Sequence, residues 1–390
     1  MTTSSSLRVT LVQPALPKYR IPVFAELARR PGIDLTLHYG QVPGVPEACA
    51  EGFRAFPDPM PIRRIGGVEV RWQRSHWTCA TRRYSDVLLL AWNVHYASLI
   101  PALLRARAQG VGTVLWGHGY SKQETGLRRR YRDGVARLAH ALLCYNHAAA
   151  RRLIAGGFDR GRVFVAPNSL DQGPIQSARQ YWLERPTQLA AFQARHRLVP
   201  AQTILYVSRF VRENRVDLLL KAAAELRLRY PALTIALVGQ GEPVASELRS
   251  LADALDLGTS VRFLGAIYDE MQLAPWFLSS AAFCYPANIG LSILHAYGYG
   301  LPVVTSDRVD AQNPEIEALE PGINGLTYMD TNANDLATAL DRLLADDAFR
   351  EQLGQAAHQT ATQRFSVTAM VNGMDNAIRF AARMAEQRRI

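Results

Sequence analysis

Short apolar runs rich in β-branched residues alternate with segments of helical period along almost the whole chain, and the alternation breaks once, near the middle. In the first half the runs are 7–13 (LRVTLVQ), 34–39 (DLTLHY), 86–91 (DVLLLA), 112–116 (GTVLW), 140–145 (HALLCY) and 162–166 (RVFVA), with helical patterns such as 21–30, 95–109 and 127–139 between them. Runs this apolar suit a parallel sheet covered by helices on both faces, because neither face of such a strand meets water. Residues 171–200 carry no strand signal, three prolines and a helical pattern near 176–195. Alternation then resumes at 203–207, 233–238, 261–264, 281–285 and 302–305, with helices near 214–229, 244–255, 269–279 and 291–299. The pattern predicts two doubly wound α/β domains, a division that 390 residues accommodate. The expected boundaries are 1–175 for the first domain, 176–200 for an interdomain segment and 201–366 for the second. The helical tail continues through 333–345, 348–363 and 367–388; its last, amphipathic and Arg-rich stretch is expected to pack back on the first domain.

Charge divides the same way. Residues 1–200 hold 28 Lys and Arg against 12 Asp and Glu, a net +16, while residues 201–390 hold 16 against 22, a net −6. A basic first half suits an anionic acceptor or an anionic membrane surface, although a solvated surface accounts for it equally well. Nucleic acid is disfavoured, since no recognition motif is present. The four cysteines, Cys49, Cys79, Cys144 and Cys284, show no metal-ligand spacing and read as reduced thiols. There is neither a leader-like start nor an apolar run of the roughly 18 residues that a membrane span needs. These features predict a cytoplasmic protein, peripheral on the inner membrane face if it associates with lipid.

Six ordered segments of the second half carry a family resemblance: LYVSRFVRENRVDLLLKA (205–222), LTIALVGQGE (233–242), VRFLGAIYDEM (261–271), YPANIGLSILHAYGYGLPVVTSD (285–307), INGLTYMDTNANDLATAL (323–340) and FSV (365–367). In this order and spacing they resemble the retaining GT-B glycosyltransferases of family 4. The first half is similar more loosely, through 11–27, WGHGY (116–120) and 163–171. The resemblance implies two Rossmann-like domains with an active site in the cleft between them. Two departures stand out. The family's paired glutamates fall on Ala287 and His295, and its lysine falls on Asn214, with Arg215 next along. PANIGLSILH (286–295) and DAQNPEIEAL (310–319) resemble instead a variant from bacterial surface-polysaccharide clusters.

A nucleotide-diphosphate leaving group needs positive charge, which guanidinium groups and helix N-termini supply without a metal. Arg209 follows a strand and is a candidate for the diphosphate, its planar fork suiting phosphate oxygens; Arg215 is a second cation in place of the lysine. Gly239, in VGQGE, recurs in the series but alone reads as a tight turn. Asn288, Ile289, Gly290 and Leu291 join a strand to a helix and offer amides to the donor, or serve as turn and cap. The resemblance places His295 at the nucleotide ribose, against a packing histidine. His118, between glycines after a strand, resembles the family's His–Gly element, which implies contact with donor or acceptor and makes it the candidate catalytic residue; one mechanism open to retaining enzymes lets the leaving phosphate itself take the acceptor proton. Lys18, Tyr19, Arg20 and Asn93 follow strands and are candidate acceptor contacts, as is Trp92. A basic cluster of Lys122, Arg128, Arg129, Arg130, Arg132 and Arg137 lies beside WGHGY and suits a lipid-linked acceptor.

The expected function is transfer of a sugar from a nucleotide-diphosphate sugar to a glycan or lipid-linked saccharide with retention of configuration, in bacterial surface-polysaccharide synthesis, with no cofactor and no metal. An inactive sugar-nucleotide-binding protein and a nucleotide-sugar 2-epimerase stay as alternatives. The epimerase would need acid and base carboxylates, yet Glu315 and Glu317 follow the transferase-like pattern.

Overall fold

The computed structural model describes residues 6–42, 48–65, 68–120 and 126–387. They form two compact units: one of residues 1–168 together with 367–390, the other of residues 169–366.

The first unit is built on a seven-stranded sheet of β1 (Leu7–Gln13), β2 (Ile33–Tyr39), β3 (Arg54–Pro57), β6 (Val87–Ala91), β7 (Gly112–Gly117), β8 (Ala141–Cys144) and β9 (Val163–Val165). Its order is β3-β2-β1-β6-β7-β8-β9, and every pairing is parallel. The central strands β7 and β8 are buried at every residue, whereas β2 alternates, so helical cover is complete only at the middle of the sheet. A separate antiparallel hairpin, β4 (Ile62–Ile65) with β5 (Val68–Arg71), was not visible in the sequence, because IRRI and VEVR are short and half charged. The helix Val367–Gln387 belongs to this unit. It buries Met370, Val371, Met374 and Ile378 in the same core as Val114, Trp116 and Leu143. Its close seating depends on glycines: a Cβ at Gly373 would stand 2.0 Å from the Val165 carbonyl oxygen, and one at Gly112 would stand 2.6 Å from that of Ala381.

The second unit carries a six-stranded parallel sheet of β10 (Thr203–Val207), β11 (Thr234–Val238), β12 (Val261–Gly265), β13 (Ala282–Cys284), β14 (Val303–Ser306) and β15 (Gly325–Tyr328), in the order β12-β11-β10-β13-β14-β15. Residues 176–200 do not stand between domains. They form most of two helices, Gly173–Leu183 and Pro186–Arg195, that pack on the second core. Ile175 and Ala178 are buried there, Phe192 meets Trp276 edge to face at 5.1 Å, and the Trp182 indole N–H donates to the Met271 carbonyl at 2.9 Å. The helical period of this segment was legible; the surface it covers was not.

Both sheets reverse direction once, between β1 and β6 and between β10 and β13. Ligands of open α/β sheets bind beyond the carboxyl ends of the strands at such a reversal. Among the described residues no helix is long and apolar enough to cross a membrane.

Candidate functional site

In the second unit the loops leaving β10 and β13 meet at the switch point. Arg209 is exposed just past β10 and makes no ion pair among the described residues. Its backbone is anchored: the Arg209 carbonyl accepts the Tyr206 hydroxyl at 3.0 Å and Asn214 Nδ2 at 3.0 Å. Asn214, where the family resemblance would put a lysine, is buried and ties the two loops together. Its Nδ2 also donates to Tyr206 Oη at 2.9 Å, its Oδ1 accepts Asn288 Nδ2 at 3.4 Å, and its carbonyl accepts the Ala287 amide at 3.3 Å. Arg215 adopts a left-handed backbone, φ 52°, and its guanidinium is engaged by Asp217 through two bonds of 2.9 and 3.1 Å. Arg215 therefore supplies a charge already half-neutralised. Burial pushes the Asp217 carboxyl up, but Arg215 and Lys221 outweigh it and hold its pKa below the usual range.

The loop 286–291 is held from beneath by the segment 310–319. The Ile289 amide donates to Gln312 Oε1 at 2.7 Å, and Asn313 Nδ2 donates to the Asn288 carbonyl at 3.0 Å. Gln312 itself donates to Thr305 Oγ1 and the Ser306 carbonyl, which docks it on the end of β14. Asn288 is left-handed, φ 60°. Consequently the Ile289 amide is not available to a ligand, contrary to expectation, and Ile289 is a core residue. The amides of Gly290 and Leu291 donate to no group among the described residues and open toward the carboxyl edge ahead of the helix Ser292–Gly298.

Gly239 also departs from its expected role. Its amide donates to the Gly265 carbonyl at 2.8 Å, and a Cβ there would stand 1.9 Å from the Ser208 carbonyl oxygen. It lets the β11 loop lie against the Arg209 loop rather than cradling phosphate.

His295 is half-buried against Phe277, ring centroids 4.8 Å apart, with Nε2 2.8 Å from Glu270 Oε1. The Tyr299 hydroxyl donates to the same oxygen at 2.5 Å. Burial raises the Glu270 pKa, yet the His295 and Tyr299 bonds prevail and hold it below the usual carboxylate value. A glutamate thus stands beside His295 after all, delivered by the helix Glu270–Leu278 instead of by position 295. Nothing in the linear series marked Glu270 beyond its place in VRFLGAIYDEM.

In the first unit a cavity of about 670 Å³ opens at the carboxyl ends of β1, β6 and β7. It brings together Asn93, Trp92, exposed His118, Arg128 and Arg132. The His118 ring lies 4.9 Å from that of Tyr145. Lys18 and Tyr19 are exposed on the turn Lys18–Arg20 after β1 and do not line this cavity. Arg20 is not an exposed acceptor contact: it is only 6% accessible, with its guanidinium over the Trp116 ring at 4.8 Å and the Tyr145 ring at 5.3 Å. Four aromatic or sulfur neighbours, Tyr19 and Met370 Sδ at 3.3 Å among them, surround its guanidinium, which the charge of the residue alone did not suggest. Arg128, Arg129 and Arg130 are exposed on the helix Gly126–Leu138, where Asp133 pairs with Arg129 and Arg132. Lys122 lies outside the described residues.

Residues 191–360 match the family model described as glycosyl transferases group 1. Over this segment the chain is similar to a group 1 glycosyltransferase domain. The chain is 25% identical over 234 residues to the lipopolysaccharide core biosynthesis glycosyltransferase LpsE of Rhizobium meliloti, covering 59% of this chain and 62% of LpsE. It is 32% identical over 189 residues to the D-inositol 3-phosphate glycosyltransferase of Frankia alni, covering 46% of this chain and 45% of that protein. Each alignment spans less than two thirds of the relative's own length. The structure resembles that of HepE of Anabaena, solved in complex with UDP, with a TM-score of 0.72, 16% identity and coverage of 96% of this chain and 100% of HepE. The fold is therefore GT-B, with two parallel-sheet α/β domains.

Proposed function

We propose that this glycosyltransferase moves a sugar from a nucleotide-diphosphate sugar to a glycan or lipid-linked saccharide, with retention of configuration and without a metal ion, in the synthesis of a bacterial surface polysaccharide. The observation that carries the reading is the switch point of the second sheet. There Arg209, held by its own carbonyl and without an ion pair among the described residues, stands by the ordered 286–291 loop, whose Gly290 and Leu291 amides donate to none of those residues. Guanidinium and amide groups preorganised at one edge stabilise a departing diphosphate because they need not reorganise as charge develops. The same groups supply the positive charge that a metal would otherwise bring. Arg215, paired with Asp217, adds less.

Retention fits a site with no side-chain nucleophile assigned, where the leaving phosphate takes the acceptor proton and His118 positions or polarises the acceptor. The polysaccharide role rests on the likeness to LpsE, whose name places it in lipopolysaccharide core synthesis. HepE, solved with UDP, supports a uridine nucleotide as the first donor to test. Exposed Arg129 and Arg130 support a cytoplasmic protein that touches an anionic membrane face.

The test is release of nucleoside diphosphate from UDP-, GDP- and dTDP-sugars, with binding of the free diphosphates measured alongside. Arg209→Ala removes a charge-assisted contact of about 1.5–3 kcal/mol and is expected to weaken UDP binding about ten- to hundredfold. Tight UDP binding without turnover on any donor, with acceptor extract supplied, would favour the binding-only reading. Unchanged affinity in Arg209→Ala would remove Arg209 from the donor site.

A further inference from the structure

Among the described residues that line the cavity of the first unit none is acidic, while Arg128 and Arg132 both reach it. Arg128 makes no ion pair among the described residues; Arg132 shares Asp133 with Arg129. A third cation, Arg20, lies behind the wall: its guanidinium packs on Trp116 and Tyr145, two residues of the cavity, and it has no carboxylate partner among the described residues. A buried guanidinium without a counter-ion is costly unless something negative comes near.

The wall adds a second, independent observation. Gln13 Nε2, Trp92 Nε1 and Trp116 Nε1 are sealed from solvent and have no hydrogen-bond partner among the described residues, and all three belong to residues that line this one cavity. An indole N–H can only donate, so an acceptor in the cavity meets either one only where the wall around it yields. A buried donor without its bond destabilises the fold, and here such donors gather in one place. Trp92, Tyr120, Tyr131 and Tyr145 add aromatic surface to the lining, on which a sugar ring can lie. The volume, about 670 Å³, is ample for a phosphorylated monosaccharide.

We propose that this cavity binds the acceptor through a phosphate monoester, with Arg128 and Arg132 on the phosphate, Arg20 supplying field from behind, and the aromatic wall against the adjoining sugar or lipid. A phosphate monoester carries about −1.5 to −2 at neutral pH, which matches more than one guanidinium where a carboxylate would match one. The assignment rests on the glycosyltransferase reading, since it names the acceptor of that reaction.

The experiment is calorimetric titration of the full chain, with UDP present at saturation, using glucose 6-phosphate, a short polyprenyl phosphate in detergent micelles, glucose and glucuronate. Glucose 6-phosphate or the polyprenyl phosphate is expected to bind about tenfold or more tighter than glucose, and whichever binds identifies a sugar or a lipid as the source of the phosphate. Arg128→Gln, an exposed position, is expected to weaken that binding about tenfold. The indole N–H resonances of Trp92 and Trp116, assigned from Trp92→Phe and Trp116→Phe, should shift with the phosphate probe and not with glucose. Four results overturn the proposal: neither phosphate probe binds, glucuronate binds more tightly, Arg128→Gln has no effect, or the probe competes with UDP. Failure of UDP itself to bind would instead sink the donor reading, so the two failures are told apart.

Discussion

Replacing Asn214 tests whether the donor loop is organised by a buried amide in place of a cation. Asn214 is 2% accessible and its Nδ2 makes two bonds, to Tyr206 Oη at 2.9 Å and to the Arg209 carbonyl at 3.0 Å. In Asn214→Ala the Arg209 carbonyl keeps the Tyr206 hydroxyl, so no acceptor is stranded, and the loss is that of two net hydrogen bonds, about 2 kcal/mol. The link between the loops through Asn288 goes as well, leaving the Arg209 segment freer in the absence of ligand. Ordering one such residue again on binding costs about 1 kcal/mol, or about fivefold in UDP affinity. Urea denaturation followed by circular dichroism reads the first number, and calorimetry with UDP reads the second. Asn214→Lys sharpens the test. It restores the cation that the family resemblance would expect, but places an ammonium in a site already filled, so it should cost about 3 kcal/mol or more and bring no gain in affinity. A stable Asn214→Lys that binds UDP more tightly, or an Asn214→Ala indistinguishable from the parent in both assays, would refute the reasoning.

Other outcomes follow from the same structure. Because the folded-state pKa of Glu270 is held below its ordinary 4.5, its contribution to stability is present above that pH and is lost as pH falls through the lower folded value. Glu270→Gln should therefore lower stability at pH 7 and flatten the acid limb of a urea-midpoint profile between pH 5 and 3, roughly the window in which such a carboxylate titrates; an unchanged acid limb would show that the His295 and Tyr299 bonds do not govern it. Gly373→Ala drives a methyl against the Val165 carbonyl oxygen 2.0 Å away and should destabilise the first unit by about 3 kcal/mol or prevent its folding. Thermal unfolding checks this, and a parental Tm would mean that the helix Val367–Gln387 shifts freely.

The division into two α/β units, their parallel sheets and the places of β1, β6, β7, β10, β11 and β13 were legible in the chain, because a strand buried on both faces must be apolar throughout and local sequence alone records that. The residues that leave strands at the carboxyl edges were legible for the same reason: Arg209, the loop 286–291, Asn93 and His118 follow apolar runs directly. What each of them does there was decided by neighbours distant in sequence. Gln312 takes the Ile289 amide, Gly265 takes that of Gly239, Asp217 takes the charge of Arg215, and Trp116 with Met370 buries Arg20. Glu270 reaches His295 from another helix, 25 residues earlier in the chain. Periodicity reports which side of an element is dry, a property of each residue and its near neighbours. Partnership between polar groups depends on the register of separate elements across the sheet, and only the folded chain sets that.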